Sequence, residues 1–336
     1  MEPIKEPTPL VLVTSSPHMH CGLTIGKSMR EVMLALVPAI IASVYYFRMS
    51  AAIVMVTCVV SAIVFETICN KVMHKPNTVQ DGSAALTGLL LAMCLPASMP
   101  PLFAAMGSMF AIVVGKAVFG GLGCNIFNPA HIGRAILLAS FPQQMTNWVL
   151  PATAAASDAV STATPLAVMR ATEKIWQAGG AASEGKLPDL MNLFWGNVGG
   201  SLGETCVPAL VLGGLYLIYK KLIDWRIPVF YLVTVAILTG VYGAVMGYPS
   251  TFPLYHLFAG GLMIGAFFMA TDWVTSPITK KGKIIYAIGL GVLTSLIRLR
   301  GSYTEGVCYS ILMMNMVTPM IDRFVRNVSF GGGLKK

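Results

Sequence analysis

Mostly apolar runs recur along the chain near 31–47, 51–69, 84–96, 101–119, 128–141, 205–219, 228–246, 254–271, 284–299 and 305–322. Polar residues, glycine or proline close each of them. Helical runs of roughly 17 to 25 residues match the hydrocarbon thickness of a bilayer. The pattern therefore predicts an all-α polytopic membrane protein with about ten transmembrane helices. Two runs are short. Run 84–96 closes on Leu95-Pro96 and run 128–141 opens on Asn128-Pro129, so both are expected to be broken or re-entrant helices. A membrane tolerates such segments only where protein or a cavity surrounds them.

Five runs precede the one long hydrophilic stretch, 142–204, and five follow it. Duplicating a unit with an odd number of crossings turns its second copy upside down, which gives two five-helix inverted repeats. Residues 83–93 can be laid on 258–268, two helices of similar small-residue composition. The expected organisation is an N-terminal segment 1–30, a first membrane repeat 31–141, a loop 142–204, a second repeat 205–322 and a tail 323–336.

Composition removes the soluble classes. Of the 336 residues, 55% are hydrophobic and 11% charged, and the mean hydropathy is +0.72, too apolar for a soluble domain. The net charge of +9 does not read as a nucleic-acid surface, because the basic residues cluster at the ends of apolar runs and act as topology signals. The partner they imply is the lipid bilayer. With the N-terminus placed in the cytoplasm, Lys71, Lys75, Lys220, Lys221, Arg226, Lys280, Lys281 and Lys283 fall in inside loops, while Arg48, Arg170, Lys174, Lys186, Arg298 and Arg300 fall outside. Both termini are thus expected inside and the 142–204 loop outside. The first 29 residues have no continuous apolar core before a small-residue site, so no cleaved signal peptide is expected. Seven cysteines form no CxxC pair, and the five histidines show no i, i+4 pairing, so no metal site is expected.

Chemistry should sit in the outer loop. Its sharpest feature is Asp158-Ala-Val-Ser161-Thr162-Ala163-Thr164. The string resembles the Asp-x-x-Ser/Thr-Gly-Ala-Thr signature at which a flavin transferase links the phosphate of FMN to the last threonine. That resemblance implies Thr164 as the acceptor, with Asp158, Ser161, Thr162 and Ala163 as the recognition motif. Thr162 departs from it by standing where glycine is usual. A threonine hydroxyl needs such activation, being a poor nucleophile by itself.

The segment Gly123-Cys-Asn-Ile-Phe-Asn128-Pro129-Ala130-His-Ile-Gly133-Arg134-Ala135 is similar to a second family pattern, Asn-Pro-Ala-x-x-Gly-Arg. From about Ser16 to Arg326 the whole chain resembles the family that holds the RnfD component of the Rnf complex, a ferredoxin–NAD oxidoreductase, and the NqrB component of the sodium-pumping NADH:quinone reductase. The short polar N-terminus favours the Rnf side. The resemblance implies a bacterial inner-membrane protein that carries covalent FMN on Thr164 and passes electrons coupled to Na+ or H+ translocation. It also implies a non-covalent riboflavin or FMN in the membrane part, the other Rnf components (A, B, C, E and G) as partners, and a flavin transferase for maturation. No complete active site is expected in this chain alone.

Asn128-Pro129 suits a helix start, where the dipole presents a positive end to a flavin or an anion. Arg134, one turn on, must point into the protein, either to a salt bridge or carbonyl or to a cofactor. Glu66 and Asp272 lie near or within the hydrocarbon region and either belong to an ion path or pair structurally with Lys116 or Arg134. The competing reading is a small-solute channel or secondary transporter, which inverted halves and broken helices fit as well.

Overall fold

In the computed structural model, the described residues are 24–151, 163–177, 187, 189–204, 206–301 and 303–326. Asp158, Ser161 and Thr162 lie outside them. Among the described residues the architecture is helical, with one isolated bridge between Pro96 and Ser201.

The first helix, α1 (Ile25–Val72), is 48 residues long and would measure roughly 72 Å if straight, more than twice the ~30 Å of a hydrocarbon core. It is not straight. Arg48 leaves the helical region with φ 51° and ψ −133°, splitting α1 into two arms that match runs 31–47 and 51–69. There follow α2 (Ser83–Met93), α3 (Pro101–Ile112), prolonged by a π-helical turn at Val113–Ala117, and α4 (Pro129–Ser140). After the short α5 (Pro142–Met145), α6 (Pro165–Gln177) and α7 (Leu190–Trp195) belong to the hydrophilic connection. The second half contains α8 (Val207–Tyr219), α9 (Arg226–Met246), α10 (Phe252–Phe258), α11 (Leu262–Ile264) with a π turn at Gly265–Met269, α12 (Lys280–Arg300) and α13 (Val307–Phe324).

Helices α1, α9 and α12 are long and apolar enough to cross a bilayer, and α10 with α11 passes as a pair bent by 65°. The remaining apolar helices are shorter. At 11 residues α2 measures about 16 Å, and most of its residues are buried, as a helix too short to span must be. Run 128–141, expected to be broken or re-entrant, forms α4, an uninterrupted helix of 12 residues that at about 18 Å is too short to span. A further interruption falls in run 254–271, at Ala259-Gly260-Gly261, where Gly260 takes φ +72°.

Helix neighbours repeat between the halves. In the first, α1 lies against α2 and α3, and α3 against α4; in the second, α9 lies against α10 and α12, and α12 against α13. Across the halves α1 meets α8 and α4 meets α13, first with first and last with last, the pattern a two-fold relation produces. Burying apolar surface gains little against lipid tails, so close van der Waals contact must hold such helices. Gly88 and Gly213 supply it. A Cβ at Gly88 would lie 2.5 Å from the Cys58 carbonyl oxygen, and one at Gly213 would lie 2.1 Å from that of Ala35.

The two ends of the bundle differ. At one, Lys75 bonds Gly120 O, Trp273 bonds Leu222 O and Lys283 pairs with Asp224. At the other, Tyr46 reaches Trp195 O and Ser98 reaches Asn147 O. The first is the basic end and the second carries the hydrophilic connection.

Candidate functional site

Thr164 begins α6. Its hydroxyl accepts a hydrogen bond from Ala167 N at 3.2 Å, an N-terminal cap, and Pro165 takes the first helical position, where a missing N–H costs nothing. The side chain is 9% exposed, and Ala163 before it is exposed. Helix α6 is amphipathic, and Leu166, Met169, Thr172 and Glu173 form its buried face. Leu166 and Met169 join Leu193, Phe252, Tyr255 and Ala259 in one apolar cluster, which seats α6 on α10 and α7. Arg170 bonds Gly301 O just past α12.

Beneath that seat lies the bend between α10 and α11, closed by charge on both sides. Arg298 donates from Nη1 to His256 O at 2.5 Å and from Nη2 to Ala259 O at 3.2 Å, satisfying carbonyls left open where α10 ends. Glu305 accepts from Gly261 N at 2.9 Å, at the start of the half-helix formed by α11 and its π turn. A cation thus meets the negative end of one helix dipole and an anion the positive end of the next. Glu305 is in turn bonded by both Nη atoms of Arg134. Nearby, the buried Glu204 carboxyl is held above its usual range by burial and by the charge of Glu305, against the opposing influence of Arg134 and Ser201.

At the basic end a cavity of about 250 Å³ is lined by Ser83, Lys116, Asn128, Pro129, Phe268 and Asp272, among others. Asn128 caps α4 by accepting from Ala130 N at 3.1 Å and donates to Met269 O at 3.2 Å, fixing α4 to the second π turn. Lys116, in the first π turn, lies 2.9 Å from both carboxylate oxygens of Glu66 and donates to Ser83 Oγ at 2.6 Å. Thr78 donates to Glu66 as well. Such turns often mark functional positions in membrane helices. Here they border one cavity from opposite halves of the chain.

The sequence-derived residues therefore separate into two groups. Asn128, Pro129 and Asp272 meet at the cavity, with Glu66 behind Lys116; Thr164 lies at the other end. Of the two acids proposed to pair with Lys116 or Arg134, Glu66 pairs with Lys116, whereas Asp272 is in no ion pair among the described residues and accepts from Thr275. Arg134 faces Glu305. Sequence reasoning placed Arg298 among the outside charges and missed its buried role and that of Glu305. The signal was there in Gly260-Gly261, since a break inside an apolar run leaves polar groups that something must satisfy.

A family model described as "NQR2, RnfD, RnfE family" matches residues 12–331. The chain is 52% identical, over 95% of its length and 96% of the relative's, to the D component of the proton-translocating ferredoxin:NAD(+) oxidoreductase complex of Clostridium ljungdahlii. It is 45% identical to the D component of the Na(+)-translocating ferredoxin:NAD(+) oxidoreductase complex of Acetobacterium woodii, with 95% of each chain covered. The D component of the ion-translocating oxidoreductase complex of Stutzerimonas stutzeri is 38% identical, with 92% of each covered.

Proposed function

This chain belongs to the NQR2, RnfD, RnfE family, and on that premise we propose that it is the RnfD component of an ion-translocating ferredoxin:NAD+ oxidoreductase complex, carrying FMN covalently on Thr164. Its 52% identity to the D component of such a complex, over nearly the whole length of both chains, carries the reading. The site geometry fits an attached phosphate: the Thr164 oxygen caps α6, whose N-terminal N–H groups and dipole favour an anion. A flavin bound there supplies one- and two-electron chemistry. The chain's own residues give it position. Thr164 anchors the phosphate, the Leu166 and Met169 face seats α6, and Arg170 ties the helix to Gly301.

The cavity suits a second, non-covalent flavin. Phe268 and its apolar neighbours form walls for a flat ring system, while Asn128, Asp272 and Ser83 offer polar edges. In this reading the termini and the cavity face the cytoplasm, Thr164 lies outside the inner membrane, and a flavin transferase and the remaining Rnf proteins are partners. Glu66 and Asp272 stand beside the same cavity as candidates for the ion path.

Denaturing electrophoresis tests the attachment. Protein made with its native transferase should give a band fluorescing under ultraviolet light that Thr164→Val removes. A dark wild-type band overturns covalent flavinylation. Ion uptake by vesicles holding the whole complex, with and without sodium, assigns the ion. The solute-carrier alternative draws on the broken helix, but Arg298 fills that break with a fixed charge.

A further inference from the structure

The seat of α6 contains a buried acid and a buried histidine that the electron-transfer reading leaves unused. Glu173, on the inner face of α6, and His256, in α10, are 7% and 2% exposed. Glu173 Oε1 lies 3.9 Å from His256 Nε2, about 1 Å beyond hydrogen-bond length. Neither ring nitrogen of His256 has a hydrogen-bond partner among the described residues, although buried polar atoms are normally satisfied. The ring is wedged edge-on against Phe252, with centroids 4.7 Å apart.

We propose that Glu173 and His256 form a proton-binding site that seats α6 on the membrane bundle. One proton leaves the pair without net charge, whether it rests on the carboxyl or on the ring. Without that proton, a bare carboxylate is buried in an apolar seam. The proton comes from water and is taken up at a Glu173 oxygen. Several groups surround the pair. Arg170 and Gln177 belong to α6, Tyr242 to α9, Tyr248 to the turn after it, and Arg298 and Arg300 to α12. Arg298 is already committed to His256 O and Ala259 O, and Arg170 to Gly301 O. Burial pushes the Glu173 carboxyl up to about 7, with Arg170 pulling the other way.

A carboxyl whose seated pKa lies above its free value stabilises the seat below the free pKa, and the stabilisation is lost as pH rises through about 7. For Glu173 alone, with His256 neutral whether or not α6 is seated, seating should therefore weaken about tenfold between pH 6 and pH 8. The proton site needs no flavin at Thr164, but α6 begins at that residue, so the pair sets how firmly the attachment point is held.

Hydrogen exchange of 165–177, on the full-length protein in lipid nanodiscs and corrected for intrinsic rates, reads the seat directly. Wild type should lose about tenfold of its protection from pH 6 to pH 8. Glu173→Gln, neutral and of the same shape, should stay protected at both. Equal protection of the wild type at the two pH values overturns the proposal, as does a pH response that survives in Glu173→Gln. Infrared difference spectra guard against a seat held by other contacts. A carboxylic C=O band present at pH 6 should vanish at pH 8 in wild type and be missing from Glu173→Gln. If that band persists in the variant, Glu173 is not the proton acceptor.

Discussion

Lys116 Nζ stands 2.9 Å from each carboxylate oxygen of Glu66, and the two side chains are only 5% and 4% exposed. Each ion is buried because the other is, since an unpaired charge at that depth carries a desolvation penalty of several kcal/mol. Their link joins the second arm of α1 to the end of α3 and, through Ser83, to the start of α2.

Lys116→Met is expected to destabilise the folded protein by about 3–5 kcal/mol by stranding Glu66. The double variant Lys116→Met/Glu66→Leu should recover much of that loss. Unfolding in detergent, followed by intrinsic fluorescence, measures wild type, Lys116→Met, Glu66→Leu and the double variant. Strictly additive losses would show the pair to be uncoupled.

Thr164→Ala should weaken the first turn of α6 by about 1 kcal/mol through loss of the Ala167 cap, whereas Thr164→Ser should keep it. Limited proteolysis between 163 and 177 reports the difference. Because the cap is independent of flavin chemistry, the effect should appear in protein made without a transferase. Equal cleavage of Ala and Ser variants would remove the cap from the account.

Gly88→Val should cost about 1–3 kcal/mol or prevent assembly of α2 against α1, since its Cβ would lie 2.5 Å from backbone that cannot retreat. Gly121→Ala offers a control for crowding, because no atom lies within 4 Å of a Cβ there, although its φ of +112° adds backbone strain. Thermal midpoints in nanodiscs rank the two. A Gly88 variant as stable as wild type would contradict the close approach of the helices.

Asn128→Ala removes both the α4 cap and the bond to Met269 O. Acid-released flavin per mole of protein should fall several-fold in this variant while the fluorescent covalent band remains. Unchanged release would move the non-covalent flavin out of the cavity.

Much of this architecture was legible in the chain itself. Each apolar run finds its helix because an apolar segment in a membrane must satisfy its backbone polar groups within itself. Single residues that govern breaks were harder to read. Nothing in Phe47-Arg48-Met49 announces a positive φ, a conformation that tertiary contacts impose. Asn128-Pro129 marked a true helix start, because its cap is local chemistry. The partners of Arg134 and Arg298 stayed hidden, as Glu305 lies 171 residues from Arg134 in sequence and no local pattern encodes such a meeting.

Helix α4 ties two distant events together. Asn128 is fixed to the cavity wall, and Arg134, six residues on, is fixed through Glu305 to the bend beneath α6. About 9 Å of rigid helix separates them. Cavity wall and bend therefore share this one helix as a common support.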